Sequence, residues 1–225
     1  RPMPVDQLEL LLAQVSLGTA EHINHEGLRD RTMIELFYNG VRNSEVCAMR
    51  VDHVVYDSKE ETIVLHFIGK GAREGEVVLN RRSARFLALH MLEQFAAADW
   101  HEWMPDFDAD VDLGLLQALE RLLDKRLRGS TAPLFLMGER QMGRRDANRM
   151  FEAYRKAAEL PDKYTPHTLR HLCGTELLEK GVGIREVQEM LRHRSIRTTE
   201  LYTQVRRGSK AVAIEHLPML SGRLW

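Results

Sequence analysis

Two histidines and an arginine fall within five residues, His167-Thr168-Leu169-Arg170-His171, directly behind Thr165 and Pro166. Thr165 suits a helix N-cap and Pro166 the first helical position. His167 then lies in the first turn, where unpaired backbone N–H groups and the helix dipole favour an anion. Positions i, i+3 and i+4 share a face, which gathers His167, Arg170 and His171 on one side. A phosphate is the natural guest of such a surface. Two other readings compete. Histidines at i and i+4 also suit a metal, but Thr168 stands where the metalloprotease motif needs glutamate, Arg170 puts a fixed positive charge on the ligand face, and no third ligand is evident. The blander reading is a capped helix with locally satisfied histidines.

Three further stretches carry matching chemistry. In Leu191–Thr203, "LRHRSIRTTELYT", His193 precedes Tyr202 by nine residues. In Gly40–Val46, "GVRNSEV", Arg42 sits at a loop-to-helix junction followed by a serine and a glutamate that can hydrogen-bond it. In Gly69–Leu79, "GKGAREGEVVL", Lys70 sits at a hairpin tip beside two glycines that let the backbone approach a ligand. Each has a plain structural reading: Tyr202 as a core aromatic, Arg42 as a partner of Glu45, Lys70 as an ordinary hairpin lysine. Taken together and in this order, the four parts resemble the tyrosine recombinase (phage integrase) family.

The resemblance implies that Arg42, Lys70, His167, Arg170 and His193 surround one scissile phosphate and that Tyr202 is the nucleophile. His171 is expected to pack beneath the site and orient its neighbours. The implied reaction is attack of the tyrosine on a DNA phosphodiester, leaving a 3′-phosphotyrosyl link and a free 5′-hydroxyl. Another strand's 5′-hydroxyl then reverses the attack, with no metal or nucleotide cofactor. The energetics fit. A phenol of pKa about 10 is only about 0.1% ionised at pH 7, so forming the phenolate costs roughly 4 kcal/mol. Two guanidinium groups on the non-bridging oxygens, at about 1.5–3 kcal/mol per charge-assisted hydrogen bond, are large enough to offset it. Lys70 is the expected general acid to the leaving 5′-oxygen, His167 the acceptor of the tyrosine proton, and His193 a hydrogen-bond donor to a phosphate oxygen. One departure stands out: Arg192 occupies the place where the family usually has glycine before the second histidine.

The elements that must hold these groups are mostly helical. Apolar residues at three- and four-residue spacing predict helices over Val5–Val15, Leu28–Tyr38, Ser83–Ala97, Leu113–Leu127, Asp146–Glu159, His167–Lys180, Ile184–Leu191 and Thr198–Val205. Asn43 and Ser44 are candidate caps for a short helix running toward Met49. Three β-branched runs, His53–Tyr56, Thr62–Ile68 and Glu76–Leu79, predict an antiparallel meander. The expected fold is therefore α+β and mainly helical, a tyrosine-recombinase catalytic domain over residues 1–225 with a small three-stranded antiparallel sheet. Residues 99–114, with two tryptophans and alternating aspartates, look like an acidic insertion between helices. The opening residues resemble the start of a catalytic domain, so the family's N-terminal core-binding domain is expected to be absent from this chain, as in a fragment or a minimal recombinase. The C-terminal segment, residues 206–225, has apolar positions compatible with exchange onto a neighbouring protomer or with packing on its own domain.

Composition adds bounds. The chain has 225 residues, 44% hydrophobic, and its apolar stretches are too short to cross a bilayer, so a cytoplasmic protein is the default, nucleoid-associated when bound to DNA. Cys47 and Cys173 lie far apart with no CxxC spacing and read as buried apolar residues. The net charge of −1 conceals a segregation: Glu93–Asp124 holds nine acidic residues against the single Arg121, a local −8 that leaves +7 elsewhere. The expected partner is double-stranded DNA, bound by a homo-tetramer on two duplexes, with a monomer or weak oligomer when free. A type IB topoisomerase-like DNA relaxer and a non-catalytic DNA-binding regulator of the same fold are the alternatives.

Overall fold

The computed structural model describes residues 3–18, 23–69, 73–96 and 111–192. Helix α1 (Val5–Ala13) leads to α2 (His25–Tyr38), which runs through the centre of the domain with every residue from Gly27 to Tyr38 buried. Asn24 caps α2 by accepting from the Gly27 N–H at 3.0 Å, which starts the helix three residues before the apolar periodicity does. Burying Gly27–Tyr38 requires the charges on that stretch to be paired. Arg29 donates to Asp30 at 2.8 Å, Tyr154 donates to Asp30 at 2.9 Å, and Arg31 and Arg82 both donate to Glu35, at 3.0 and 2.8 Å.

After α3 (Asn43–Cys47) and a 3-10 turn (Val51–His53) come β1 (Val54–Asp57), β2 (Thr62–Gly69) and β3 (Arg73–Val78), an antiparallel meander in the order β1-β2-β3. The register runs from Val54 opposite Leu65 and His66 opposite Glu76 out to Gly69 opposite Arg73. The third strand thus begins three residues before the expected Glu76. Pairing with β2 carries Arg73-Glu74-Gly75, which read as a turn in the sequence, into the ladder. Helix α4 (Arg81–Phe95), capped by Asn80 on the Ser83 N–H at 2.8 Å, packs against α2 and against α5 (Val111–Lys125). Because α5 starts at Val111, the last residues of the stretch read as an acidic insertion are helical, and the rest of that stretch lies outside the described residues.

A two-stranded hairpin, β4 (Leu136–Met137) and β5 (Arg140–Gln141), was not legible as strands: two residues give no period, and Gly138 with φ +61° marks only the turn. Helices α6 (Arg144–Ala157), α7 (Pro166–Glu179) and α8 (Ile184–Met190) complete the described chain. The expected helix at Thr198–Val205 and the C-terminal segment fall outside the described residues. Among the described residues, no helix is long and apolar enough to cross a membrane.

The core runs through Phe37, Phe135 and Phe151, and His90 is stacked on Phe135 at 5.1 Å. Its Nε2 lies 2.8 Å from the Leu134 carbonyl, which can only accept, so Nε2 carries the proton. Burial pushes the His90 pKa down from 6.5 to about 4. The unfolded chain therefore binds more protons than the fold between those values. His90's contribution is complete above pH 6.5 and is lost as pH falls toward 4, by an amount on the order of 3 kcal/mol. Urea titrations at pH 7 and pH 4.5 should show a larger acid loss of stability in the native chain than in His90→Gln.

Candidate active site

The site begins where α2 ends. Gly40, with φ +80°, turns the chain so that the Val41 N–H reaches back to the Leu36 carbonyl at 3.0 Å. A Cβ on Gly40 would lie 2.6 Å from Leu191 Cδ2, so glycine serves here both the left-handed turn and the close approach of α8. The turn delivers Arg42 to the N-cap of α3. This corrects the expected cap: Asn43 and Ser44 lie inside the helix, and Asn43 instead donates to Asn148 at 2.8 Å. The capping group is the Glu45 carboxylate, which accepts from the Arg42 backbone N–H at 2.8 Å.

Glu45 organises the charges around it. Its Oε1 accepts from Arg42 Nη1 at 2.8 Å and its Oε2 from Arg192 Nη2 at 2.5 Å, while Arg42 Nη2 donates to the Arg192 carbonyl at 2.5 Å. Arg170 projects from α7 into the same neighbourhood, 2% exposed, with Nη1 donating to the Gly40 carbonyl. Its Nη2 is buried and has no hydrogen-bond partner among the described residues. Burial first, then the Arg42 and Arg192 guanidiniums, push the Arg170 pKa down to about 10, which still leaves it charged at neutral pH. Three guanidinium groups thus gather around one carboxylate that pairs with two of them, and an open cleft of about 780 Å³ beside them is lined by Arg42, Arg144, Lys156, His167 and Arg170 against the carboxylates of Glu152 and Asp162. An anion bound there would supply both a counter-charge and an acceptor for Arg170 Nη2.

The cleft wall at α7 is built as the sequence anticipates, with Thr165 at the N-cap and Pro166 in the first turn. The local hydrogen bonds come from Thr168, whose hydroxyl accepts from the Thr165 N–H at 3.1 Å and donates to the Thr165 carbonyl at 2.6 Å. His167 is exposed at this first turn. His171, expected beneath the site, is also exposed, because i+4 from an exposed residue returns to the same solvent face; its ring meets His167 edge-on at 4.3 Å. Partial burial, then His171, Arg170 and Arg42, lower the His167 pKa below 6.5. The neutral imidazole, able to accept a proton, therefore persists below that value. The acid limb of any reaction that uses this base should fall below pH 6.5 and move upward in His171→Ala, which a pH–rate profile of both proteins would show.

Of the six candidate residues, Arg42, His167 and Arg170 come together on one cleft. Lys70, His193 and Tyr202 lie outside the described residues. The described residues end next to two of them, at Gly69 and at Arg192, and the Arg192 carbonyl accepts from Arg42 Nη2. Sequence reasoning did not anticipate the Gly40 carbonyl as an Arg170 acceptor; the available signal was a glycine two residues before the arginine. Cys47 and Cys173 are both buried free thiols. No cluster of three His, Cys, Asp or Glu side chains able to hold a metal occurs among the described residues.

Residues 107–208 match the phage integrase family. The chain is 29% identical over 206 residues to the tyrosine recombinase XerC of Chlamydia pneumoniae, covering 91% of this chain and 54% of that protein. It is 31% identical over 206 residues to the tyrosine recombinase XerD of Staphylococcus epidermidis, covering 89% and 58%. It therefore spans little more than half the length of these relatives. Among solved structures, the fold is similar to the integrase of mycobacterium phage Brujita (TM-score 0.60, 24% identity, 99% of this chain and 60% of that one). It is also similar to the XerH site-specific recombinase bound to its palindromic difH substrate (TM-score 0.59, 18% identity, 86% and 46%). Residues 107–208 are accordingly a phage integrase family domain, and the helical frame and three-stranded sheet share the fold of the phage Brujita integrase and the XerH recombinase.

Proposed function

We propose that this chain is the catalytic part of a site-specific DNA recombinase that cuts and rejoins strands through a 3′-phosphotyrosyl intermediate. The observation that carries the reading is the convergence of Arg42, Arg170 and His167 on one cleft with surplus positive charge and a buried guanidinium nitrogen that has no partner among the described residues. In the reaction, the Tyr202 oxygen attacks phosphorus and the bond to the 5′-oxygen breaks. The phenolic proton passes to His167, and the leaving 5′-oxygen takes a proton from the Lys70 ammonium. Arg42 and Arg170 stabilise the charge that grows on the non-bridging oxygens, and His193 donates a further hydrogen bond. The energy of the broken ester is kept in the phosphotyrosyl bond, so rejoining needs neither nucleotide nor metal. XerH, whose fold this chain shares, has been seen on its difH substrate, which supports duplex DNA as the partner. Exchange between two duplexes requires four cleavages, hence a homo-tetramer on DNA from a chain that is monomeric or weakly associated when free.

The reading is tested by incubating the protein with sheared source DNA carrying random nicks, denaturing, capturing the protein and sequencing what remains attached. Nicks let the short 5′ product diffuse away and trap the adduct. Adducts at one recurring sequence are the expected result. Adducts at scattered sequences would assign the chain to a DNA relaxer, and binding without adduct to a regulator or to a catalytic fragment that needs a further domain, which the full-length protein separates.

A further inference from the structure

Arg192 adopts φ +50°, a left-handed conformation that costs an arginine energy and a glycine little. It closes α8, its N–H bonding the Glu189 carbonyl at 2.9 Å, a role that any glycine fills. The arginine side chain is accounted for by what it touches. It is 15% exposed, pairs with Glu45 at 2.5 Å and lies 4.8 Å over the Phe67 ring on β2. Its Cδ would be 2.9 Å from a Cβ on Gly75 of β3, so the sheet carries a glycine where this side chain passes. Burial of a guanidinium on this scale is tolerated because Glu45 and the Phe67 ring face it. Its own carbonyl meanwhile accepts from Arg42 Nη2.

We propose that Arg192 is a positioning residue that holds Arg42 through two routes, its own carbonyl and the shared Glu45 carboxylate, while bracing the end of α8 against β2 and β3. Arg42 keeps only its outward edge for a ligand, because Nη1 is committed to Glu45 and Nη2 to the Arg192 carbonyl. Glu45 is fixed from both sides, by Arg42 and by Arg192, so neither carboxylate oxygen is free to rotate away. The brace also ties together the two chain segments that run directly into Lys70 and His193. The role rests on the reading of Arg42 as a phosphate-binding group, and its test is built to separate the two.

Arg192→Gly keeps the turn and the carbonyl and removes only the brace; Arg192→Lys keeps a charge for Glu45 but not the fork. The full chain is measured in three ways: thermal midpoint, low-temperature ¹⁵N-edited spectra of the Arg42 guanidinium, and single-turnover covalent capture of a nicked duplex. In Arg192→Gly the midpoint should change little, since the relieved left-handed strain offsets the lost pairing with Glu45 and Phe67. The Arg42 guanidinium signals should broaden, and capture at saturating DNA should slow about 10-fold while affinity changes less than about threefold, with Arg192→Lys in between. Unchanged Arg42 signals with capture within about twofold of the native rate would overturn the proposal, as would a fall in rate matched by a fall in midpoint. Should neither the native chain nor the full-length protein form an adduct, the recombinase reading fails, and the Arg42 spectra still decide whether Arg192 positions it.

Discussion

Tyr202→Phe abolishes covalent capture of DNA while leaving DNA binding nearly intact. The phenolic oxygen is the proposed nucleophile, and a phenyl ring in its place offers no lone pair to phosphorus. The arginines and histidines around the phosphate remain, but with nothing to activate except water, which lacks a tether to the site. Removing a nucleophile that works as a unit with its base costs on the order of 10⁴-fold or more, so the residual signal should fall below detection. Binding should change within about threefold, because duplex affinity comes chiefly from basic contacts to the backbone phosphates. Gel shift and denaturing capture on the same nicked duplex read both quantities.

Arg170→Lys lowers the capture rate by about 10²- to 10³-fold, the cost of losing one preorganised donor to the developing oxyanion. The guanidinium is proposed to do two jobs from one buried position: Nη1 holds the Gly40 carbonyl, and Nη2, which has no partner among the described residues, serves the phosphate. A lysine has one nitrogen on a longer pivot and cannot reach both. Burial and the neighbouring Arg42 and Arg192 charges, which already push the arginine down to about 10, act harder on an ammonium and favour its neutral form. Stability should fall by about 1–3 kcal/mol as the Gly40 carbonyl loses its partner, small enough that the variant can be compared with the native chain at 20 °C. Single-turnover capture and a urea midpoint on each protein separate the two effects. A lysine variant that cleaves within about threefold of native would show that Arg170 is a structural strut rather than a phosphate ligand.

The parts of the site legible in sequence were those fixed by local geometry. Thr165 and Pro166 start α7, and the i, i+3 spacing then places His167 and Arg170 on neighbouring faces whatever the rest of the fold does. Glu45 follows Arg42 at the capping-box distance, so their pairing was foreseeable. What sequence could not supply were contacts between elements far apart in the chain. The Gly40 carbonyl as an acceptor for Arg170, and Arg192 as the second partner of Glu45, depend on how α7 and α8 pack against α2 and α3. His171 was misplaced because its helix face was judged from the motif rather than from which side of α7 meets α2. The sheet was read correctly in topology, but its third strand was cut short, since a glycine between two charged residues signals a turn unless a partner strand is known to pair with it. In this fold Gly75 is in the ladder because it pairs with Phe67 of β2, and the Arg192 side chain passes beside it.

The central claim, that this chain breaks a phosphodiester by attack of Tyr202, is tested most directly by finding the residue that carries the DNA. The protein is trapped on a nicked duplex, digested first with nuclease and then with trypsin, and analysed by mass spectrometry. The account predicts one modified peptide, Thr198 to Arg206, "TTELYTQVR", whose single tyrosine is Tyr202, bearing a nucleotide through its 3′-phosphate, with a matching free 5′-hydroxyl on the released strand. A nucleotide on any other residue, a 5′-phosphate link, or an unmodified peptide from a protein that has cleaved its duplex would contradict it.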